Sequence, residues 1–532
     1  MRFLLLAALL IPLAAPAQTA EETFGESIDV RVVNVEAVVT DGRGERVRGL
    51  TAGDFRLLVD GVEVPVDYFT EVADGVARPA PQSGEESVPA PPAPTAAGPV
   101  GRSLLVFIDE SLSIAAQRDV VLKEIERDLD RLGPEDRMAV VAFDGGRLQR
   151  LADWTSDHRT LLKAFAEARS RPAQGILTLA ERRSAFGDKQ LGQDDDLDFY
   201  SSEFRPYDRF EYEDVQPQQY SRLVRVVEAA AAALRSFSLP PGRKAMLVLS
   251  GGWPLTRPVA RLVQDANRLG YTLYPVDVPG IDIAQTVGDV RAERPMDGPA
   301  RVLTSPWEQA SHHTLHLLAA ATGGREAINS NRLAALERAD EDTRSYYWLG
   351  FSPAWKANDR HHRVELKVRR PGLDVRARSG FSDLSPATLA EMETEGLLAF
   401  GTGDKGDKGD KGDRQPGEDH MQVEMGEPRQ AGWRMVEVPV TLVLPAAIAG
   451  GTAGTAGGED TELVLSVGSL DRFGGRSELP QIHFKVSPSG GAQVRSEVTV
   501  RLRKAEQRLV FHVRDPRTGK QLVEEVSYQP GK

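Results

Sequence analysis

Cysteine is absent from the 532 residues, and that one absence excludes disulfides, thiolate metal sites and a lipid-modified N-terminal cysteine together. Packing has to hold the fold. Beyond its first residues the sequence also has no apolar run approaching the ~20 residues of a bilayer-spanning helix, so no membrane span is expected. It carries no Gly-rich phosphate loop ending in Lys-Ser or Lys-Thr and no Gly-x-Ser-x-Gly elbow, which leaves kinase, ATPase and serine-hydrolase chemistry without a motif. Excess positive charge is missing as well. The formal net charge is -13, a balance that opposes nonspecific binding to nucleic acid.

What is present begins with Met1-Arg2 and the apolar stretch Phe3 to Ala15, closed by Ala15-Pro16-Ala17. Charge, then hydrophobe, then a small-residue cleavage site is the order of a secretory signal. Pro12 and the short run argue against a membrane anchor. A signal peptide over residues 1–17, cut before Gln18, is expected, with export to the periplasm or beyond the cell; which of the two stays open.

At this length the chain needs several cores. Residues 24–73 alternate like strands around the turns Asp41-Gly42 and Asp60-Gly61, which predicts a small N-terminal β module. Residues 74–100, rich in Pro and Ala, read as a linker. From 101 to 385 short apolar runs such as Leu104-Leu105-Val106-Phe107-Ile108 and Met246-Leu247-Val248-Leu249 alternate with amphipathic helices. That pattern predicts an α/β domain, doubly wound around a mainly parallel sheet covered on both faces. A polar, aromatic and acidic insertion at about 171–219 interrupts it, and strands at 344–381 are expected to close it. The Gly-Asp-Lys repeats within 400–420 read as a charged linker, too short and too poor in proline for collagen. Alternating strands over 421–529 predict a second, C-terminal β-sandwich.

The sharpest local signal is Asp109-Glu110-Ser111-Leu112-Ser113, directly after the first central strand, where ligands of doubly wound sheets gather. A carboxylate and two hydroxyls are hard oxygen donors, suited to Mg²⁺ or Mn²⁺ and poor for Zn²⁺. A helix cap is the alternative use of the same residues. With this Asp-x-Ser-x-Ser and this element order, the segment from about 101 to 381 resembles the von Willebrand factor type A family, with its metal-ion-dependent adhesion site. The resemblance implies metal ligation by Asp109, Ser111 and Ser113, a Thr from a second loop, for which Thr178 is the local candidate, and an Asp from a third. Ser250-Gly251-Gly252 stands at that third place. Loss of a carboxylate lowers affinity for a divalent ion, so Mg²⁺ or Mn²⁺ binding is expected to be weak or absent. The resemblance further implies a protein partner that offers an Asp or Glu side chain. Flanking stretches, among them Gly49-Leu50-Thr51-Ala52-Gly53-Asp54-Phe55 and Tyr346-Tyr347-Trp348-Leu349-Gly350-Phe351-Ser352-Pro353, look like those of exported von Willebrand-domain proteins abundant in Acidobacteria.

A second constellation is His312-His313-x-x-His316. His312 and His316 share a helix face at zinc-chelating spacing, but His313 stands where a metalloprotease has its Glu base. A metallohydrolase is therefore the alternative reading, below solvated helix histidines. The run Asp194 to Asp198 lacks the spacing of a calcium loop. The rings of Tyr346, Tyr347, Trp348, Phe351 and Trp355 suit a core better than a carbohydrate platform, and Arg369, Arg370, Arg376 and Arg378 read as an exposed hairpin face. The expected function is an exported protein-interaction or adhesion module, set in envelope assembly, and not an enzyme.

Overall fold

The computed structural model describes residues 32–79, 98–176, 217–237, 240, 242–279, 306–353, 356–400, 421–449, 460–471, 476–479, 481–487, 493–516 and 520–530. The signal segment 1–17, Thr178 with most of the insertion, the acidic run at 194–198, Trp355, and all but the first residue of the 400–420 linker lie outside them.

Strands β1 (Val33–Asp41), β2 (Phe55–Val59), β3 (Val62–Val64) and β4 (Tyr68–Ala73) form from the alternating N-terminal sequence. The ends of the 74–100 stretch pair with each other as β5 (Val76–Pro79) and β6 (Gly98–Pro99). The central domain follows, built from β7 (Arg102–Asp109), α1 (Ala115–Arg127), β8 (Arg137–Phe143), β9 (Leu148–Thr155), α2 (His158–Ser170), α3 (Pro217–Ser236), β10 (Arg243–Ser250), α4 (Thr256–Leu269), β11 (Tyr271–Asp277), α5 (Pro306–Thr322) and α6 (Ala335–Arg344). Its sheet has the order β11-β10-β7-β8-β9. The first three pairings are parallel, and β9 joins antiparallel at the edge.

Leu104 to Ile108 are all fully buried because helices cover both faces of this sheet, which explains the uninterrupted apolar run. Leu105, Phe107, Met246 and Val248 pack under α3 and α4. Leu104, Val106, Ile108 and Leu247 point the other way, against α1, α2 and α6. The molecule is thus mixed α/β, with a mainly parallel sheet flanked by helices and several antiparallel sheets beside it.

The strands after the central domain, β12 (Tyr346–Phe351), β13 (His361–Val368), β14 (Leu373–Arg376) and β15 (Gly380–Ser382), pair with those before it. β12 lies between β1 and β4, and β13 pairs β2. Residues 344–381, grouped by sequence with the central domain, therefore complete one sandwich with the N-terminal strands, and the central domain is inserted between β6 and β12. Val35, Leu57, Phe351, Val364 and Phe381 fill its core. The aromatic run 346–351 is buried packing. Only part of the basic strip is exposed: Arg369 and Arg370 pair Glu63 and Asp54 at the surface, whereas Arg376 turns inward to Asp342 and Arg378 donates to the Asn267 carbonyl. The strip changes face because β14 ends there and the chain crosses back over the central domain.

Helix α7 (Pro386–Phe400), which periodicity did not reveal, runs on α3 and reaches the C-terminal sandwich. That sandwich packs the sheet around β18 (Met435–Pro445) and β22 (Gln493–Arg503) on the sheet around β19 (Thr461–Asp471) and β23 (Gln507–Arg514) over one apolar core.

Where the first sandwich meets the central domain, Lys244 at the start of β10 lies over the Tyr271 ring at 5.7 Å. Burial brings its ammonium down to about 8, the Arg378 charge pushes the same way, and Glu36 opposes. A cation whose folded pKa is depressed gives stability that is present above its unfolded value, near 10, and lost as pH falls through the folded one. Lys244→Met, which keeps most of the volume, is expected to raise stability at pH 7 by about 1–3 kcal/mol. The wild type should close that gap between pH 8 and 10, which denaturant midpoints across that range would show.

Candidate functional site

The loop leaving β7 ends at the carboxyl edge of the sheet, so the topology brings Asp109, Ser111 and Ser113 together. All three are completely buried. Asp109 Oδ1 accepts from the Ser111 amide (3.0 Å), the Ser111 hydroxyl (2.7 Å) and the Leu112 amide (3.1 Å). Oδ2 accepts the indole N–H of Trp253 at 3.0 Å. Burial pushes the Asp109 carboxyl above its usual range, against the pull of the Ser111, Trp253 and Leu112 donors. Four donors around one carboxylate resemble the capping use of Asp and Ser more than an open ligand set.

Trp253 is the residue that the sequence reading missed. It follows Ser250-Gly251-Gly252 at the end of β10, is fully buried, and meets the Phe107 ring edge-on at 6.2 Å. Its carbonyl accepts from Thr314 of α5, so α5 fixes the indole that closes over Asp109. Gly251 is required by proximity, since a Cβ there would overlap the Leu112 carbonyl. No side chain, and so no carboxylate, fits at that place. Gly175 is held the same way: its amide donates to the Ser113 carbonyl at 2.9 Å, and a Cβ would strike the Ser113 backbone. Of the four expected ligands Thr178 lies outside the described residues, and of the three on this loop Ser113 has a hydroxyl without a hydrogen-bond partner among the described residues.

Glu110, between the ligand-type residues, faces the other way. Arg171 grips both its oxygens at 2.7 and 2.9 Å, with Arg118 at 3.7 Å. Burial raises its carboxyl, while Arg171 and Arg118 pull it down. This pair fastens the loop to the end of α2.

The histidines of α5 do not converge. His312 Nε2 lies 3.3 Å from Asp277, and His316 Nδ1 lies 3.3 Å from Glu326. Among the described residues no group of three or more His, Cys, Asp or Glu side chains is placed to hold a metal ion, and no helix is long and apolar enough to cross a membrane.

No protein-family model and no curated protein matches the chain. Solved structures that it is similar to include the conserved hypothetical protein BatB from Bacteroides thetaiotaomicron, at 14% identity and TM-score 0.24 over 46% of this chain and 96% of that one. The SpRpn10 VWA domain is 12% identical, with TM-score 0.16 over 35% and 79%. The pilus adhesin SpaC from Lactobacillus rhamnosus GG is 8% identical, with TM-score 0.24 over 80% of this chain and 56% of the adhesin.

Proposed function

We propose that the chain is an exported protein-binding module of the adhesion type that works without a resident divalent cation. The N-terminal charge-hydrophobe-cleavage pattern supports export. The observation that carries the cation-free part is the state of Asp109: both carboxylate oxygens are spent on Ser111, Leu112 and Trp253, inside a loop closed to solvent. A Mg²⁺ or Mn²⁺ ion would have to displace those donors and find its second charge at a position where only glycine fits. The loop then serves as a rigid support for the rim of the sheet, and a partner docks on that rim by shape, hydrogen bonds and charge. Against the metallohydrolase alternative stands the separation of His312 and His316 onto different carboxylates, with no ligand triad assembled among the described residues.

Calorimetric titration of the full chain with Mg²⁺, Mn²⁺ and Zn²⁺ should give no saturable heat, and cross-linked capture of an envelope partner should be the same in chelator and in Mg²⁺. Capture that needs Mg²⁺ and is lost in Asp109→Asn would restore the metal-dependent account. Hydrolysis lost in His312→Ala would replace the binding account altogether.

A further inference from the structure

A cleft of about 770 Å³ opens beside the rim, between the β8–β9 turn, α3, α7 and the C-terminal sandwich. Its position ties it to the loop above, for Gly145 in the β8–β9 turn lies against Ser111. Four arginines line it, Arg147, Arg225, Arg235 and Arg508, against the two acids Glu228 and Glu395. Two of the four are committed. Arg235 pairs Glu395 and, at 2.9 Å, Asp265, and Arg508 is held by the Leu398 carbonyl with Glu525 at 3.5 Å. Glu395 is neutralised by the same Arg235. What remains are Arg147 and Arg225, both exposed and neither in an ion pair among the described residues, with Glu228 as the remaining acid.

We infer that this cleft binds the carboxylates of an acidic polypeptide segment, an inference that rests on the docking role proposed above and names its ligand chemistry. The volume is that of ligand clefts, which favour junctions between domains. Guanidinium forks take carboxylates in two parallel hydrogen bonds and lose little order in doing so. On an acidic chain, a recess with unneutralised guanidiniums focuses a local field of opposite sign. Phe143, Leu148 and Leu470 in the wall offer apolar surface to the uncharged parts of a peptide. Glu228 penalises a doubly charged phosphate more than a singly charged carboxylate. In this arrangement the positive charge that a metal ion would present to a partner's Asp or Glu comes from arginines one loop away.

The test is calorimetry of the full chain in chelator with a hexaglutamate peptide, with hexalysine and inorganic phosphate as comparison probes. Hexaglutamate should bind saturably and hexalysine should not. Arg147→Ala with Arg225→Ala should weaken binding about tenfold at an unchanged melting temperature, since both side chains are exposed, and Glu228→Gln should strengthen it. Absence of saturable heat, an unaffected double variant, or phosphate binding as tightly as the peptide each overturns the assignment. These outcomes are separable from the docking reading: partner capture that persists in chelator keeps that reading even if the cleft fails, and capture that requires Mg²⁺ removes it whatever hexaglutamate does.

Discussion

Asp109→Ala should cost about 3–5 kcal/mol of stability, and the cost should be the same in chelator and in excess Mg²⁺. The substitution strips the acceptor from four buried donors, the Trp253 indole, the Ser111 hydroxyl and the Ser111 and Leu112 amides. A buried donor left without a partner costs ~1–3 kcal/mol, and these four can relax only partly because Gly251 and Gly175 already touch the loop backbone. For a domain of this size such a loss lowers the melting transition by roughly 6–20 °C. A metal site behaves otherwise. An ion bound at 100 times its dissociation constant stabilises the native state by about 2.7 kcal/mol, so Mg²⁺ would raise the wild-type transition and leave the variant unmoved. Trp253→Phe gives an independent check: it removes one donor to Oδ2, keeps the ring edge against Phe107, and should cost about 1–3 kcal/mol. If Mg²⁺ shifts the wild type and not Asp109→Ala, the closed-loop account is wrong.

The central sheet was legible because its strands are buried on both faces, which an uninterrupted apolar run such as Leu104 to Ile108, bounded by helical patterns, conveys directly. The carboxyl-edge position of Asp109 followed from the same pattern. What the pattern could not convey was the state of that loop. Asp-x-Ser-x-Ser is compatible with a cation or with internal hydrogen bonds, and the donor that occupies Asp109 Oδ2 here, the Trp253 indole, comes from 144 residues further on. A signal for it did exist: two glycines directly after an apolar strand mark a close backbone approach, and a tryptophan after them needs a partner for its N–H. The joining of β1 to β12 was harder to see, since two alternating stretches say nothing about which pairs with which. Helix α7 was hidden for a different reason: α3 covers one side of it and the C-terminal sandwich another, so it lacks the polar stripe of a surface helix.

Asp342 carries the other large expected effect. On sequence it is one acid in Asp340-Glu341-Asp342, the kind of run that sits in solvent, yet its carboxylate is wholly buried. Arg376 of β14 holds it at 2.9 Å through two N–H groups, Arg325 lies at 3.0 Å, and Arg46 arrives from the N-terminal strands. Arg243 of β10 binds the Asp342 carbonyl at 2.7 Å and stacks over Tyr346 at 4.1 Å. One carboxylate thus joins both halves of the divided sandwich to the inserted domain. Burial alone would raise its pKa; the hydrogen bond and charge of Arg376, with the charges of Arg325 and Arg46, outweigh it and hold the group below the usual carboxylate range. An acid depressed in the folded state gives stability that is complete above its unfolded value, near 4, and is lost as pH falls through the folded one. Asp342→Asn, nearly isosteric, leaves three guanidiniums facing one another with their shared counter-charge gone and Glu341 still paired to Arg325 at 3.0 Å, and should cost about 3–5 kcal/mol at pH 7. Because the centre ties the two units together, the variant should also split a shared calorimetric transition, with the sandwich melting first. As pH falls through that lowered folded pKa the wild type protonates the same group, and the gap between the two proteins should narrow. Equal melting of wild type and Asp342→Asn at pH 7 would show that the arginines find other partners and that the sandwich stays on the central domain by apolar packing alone.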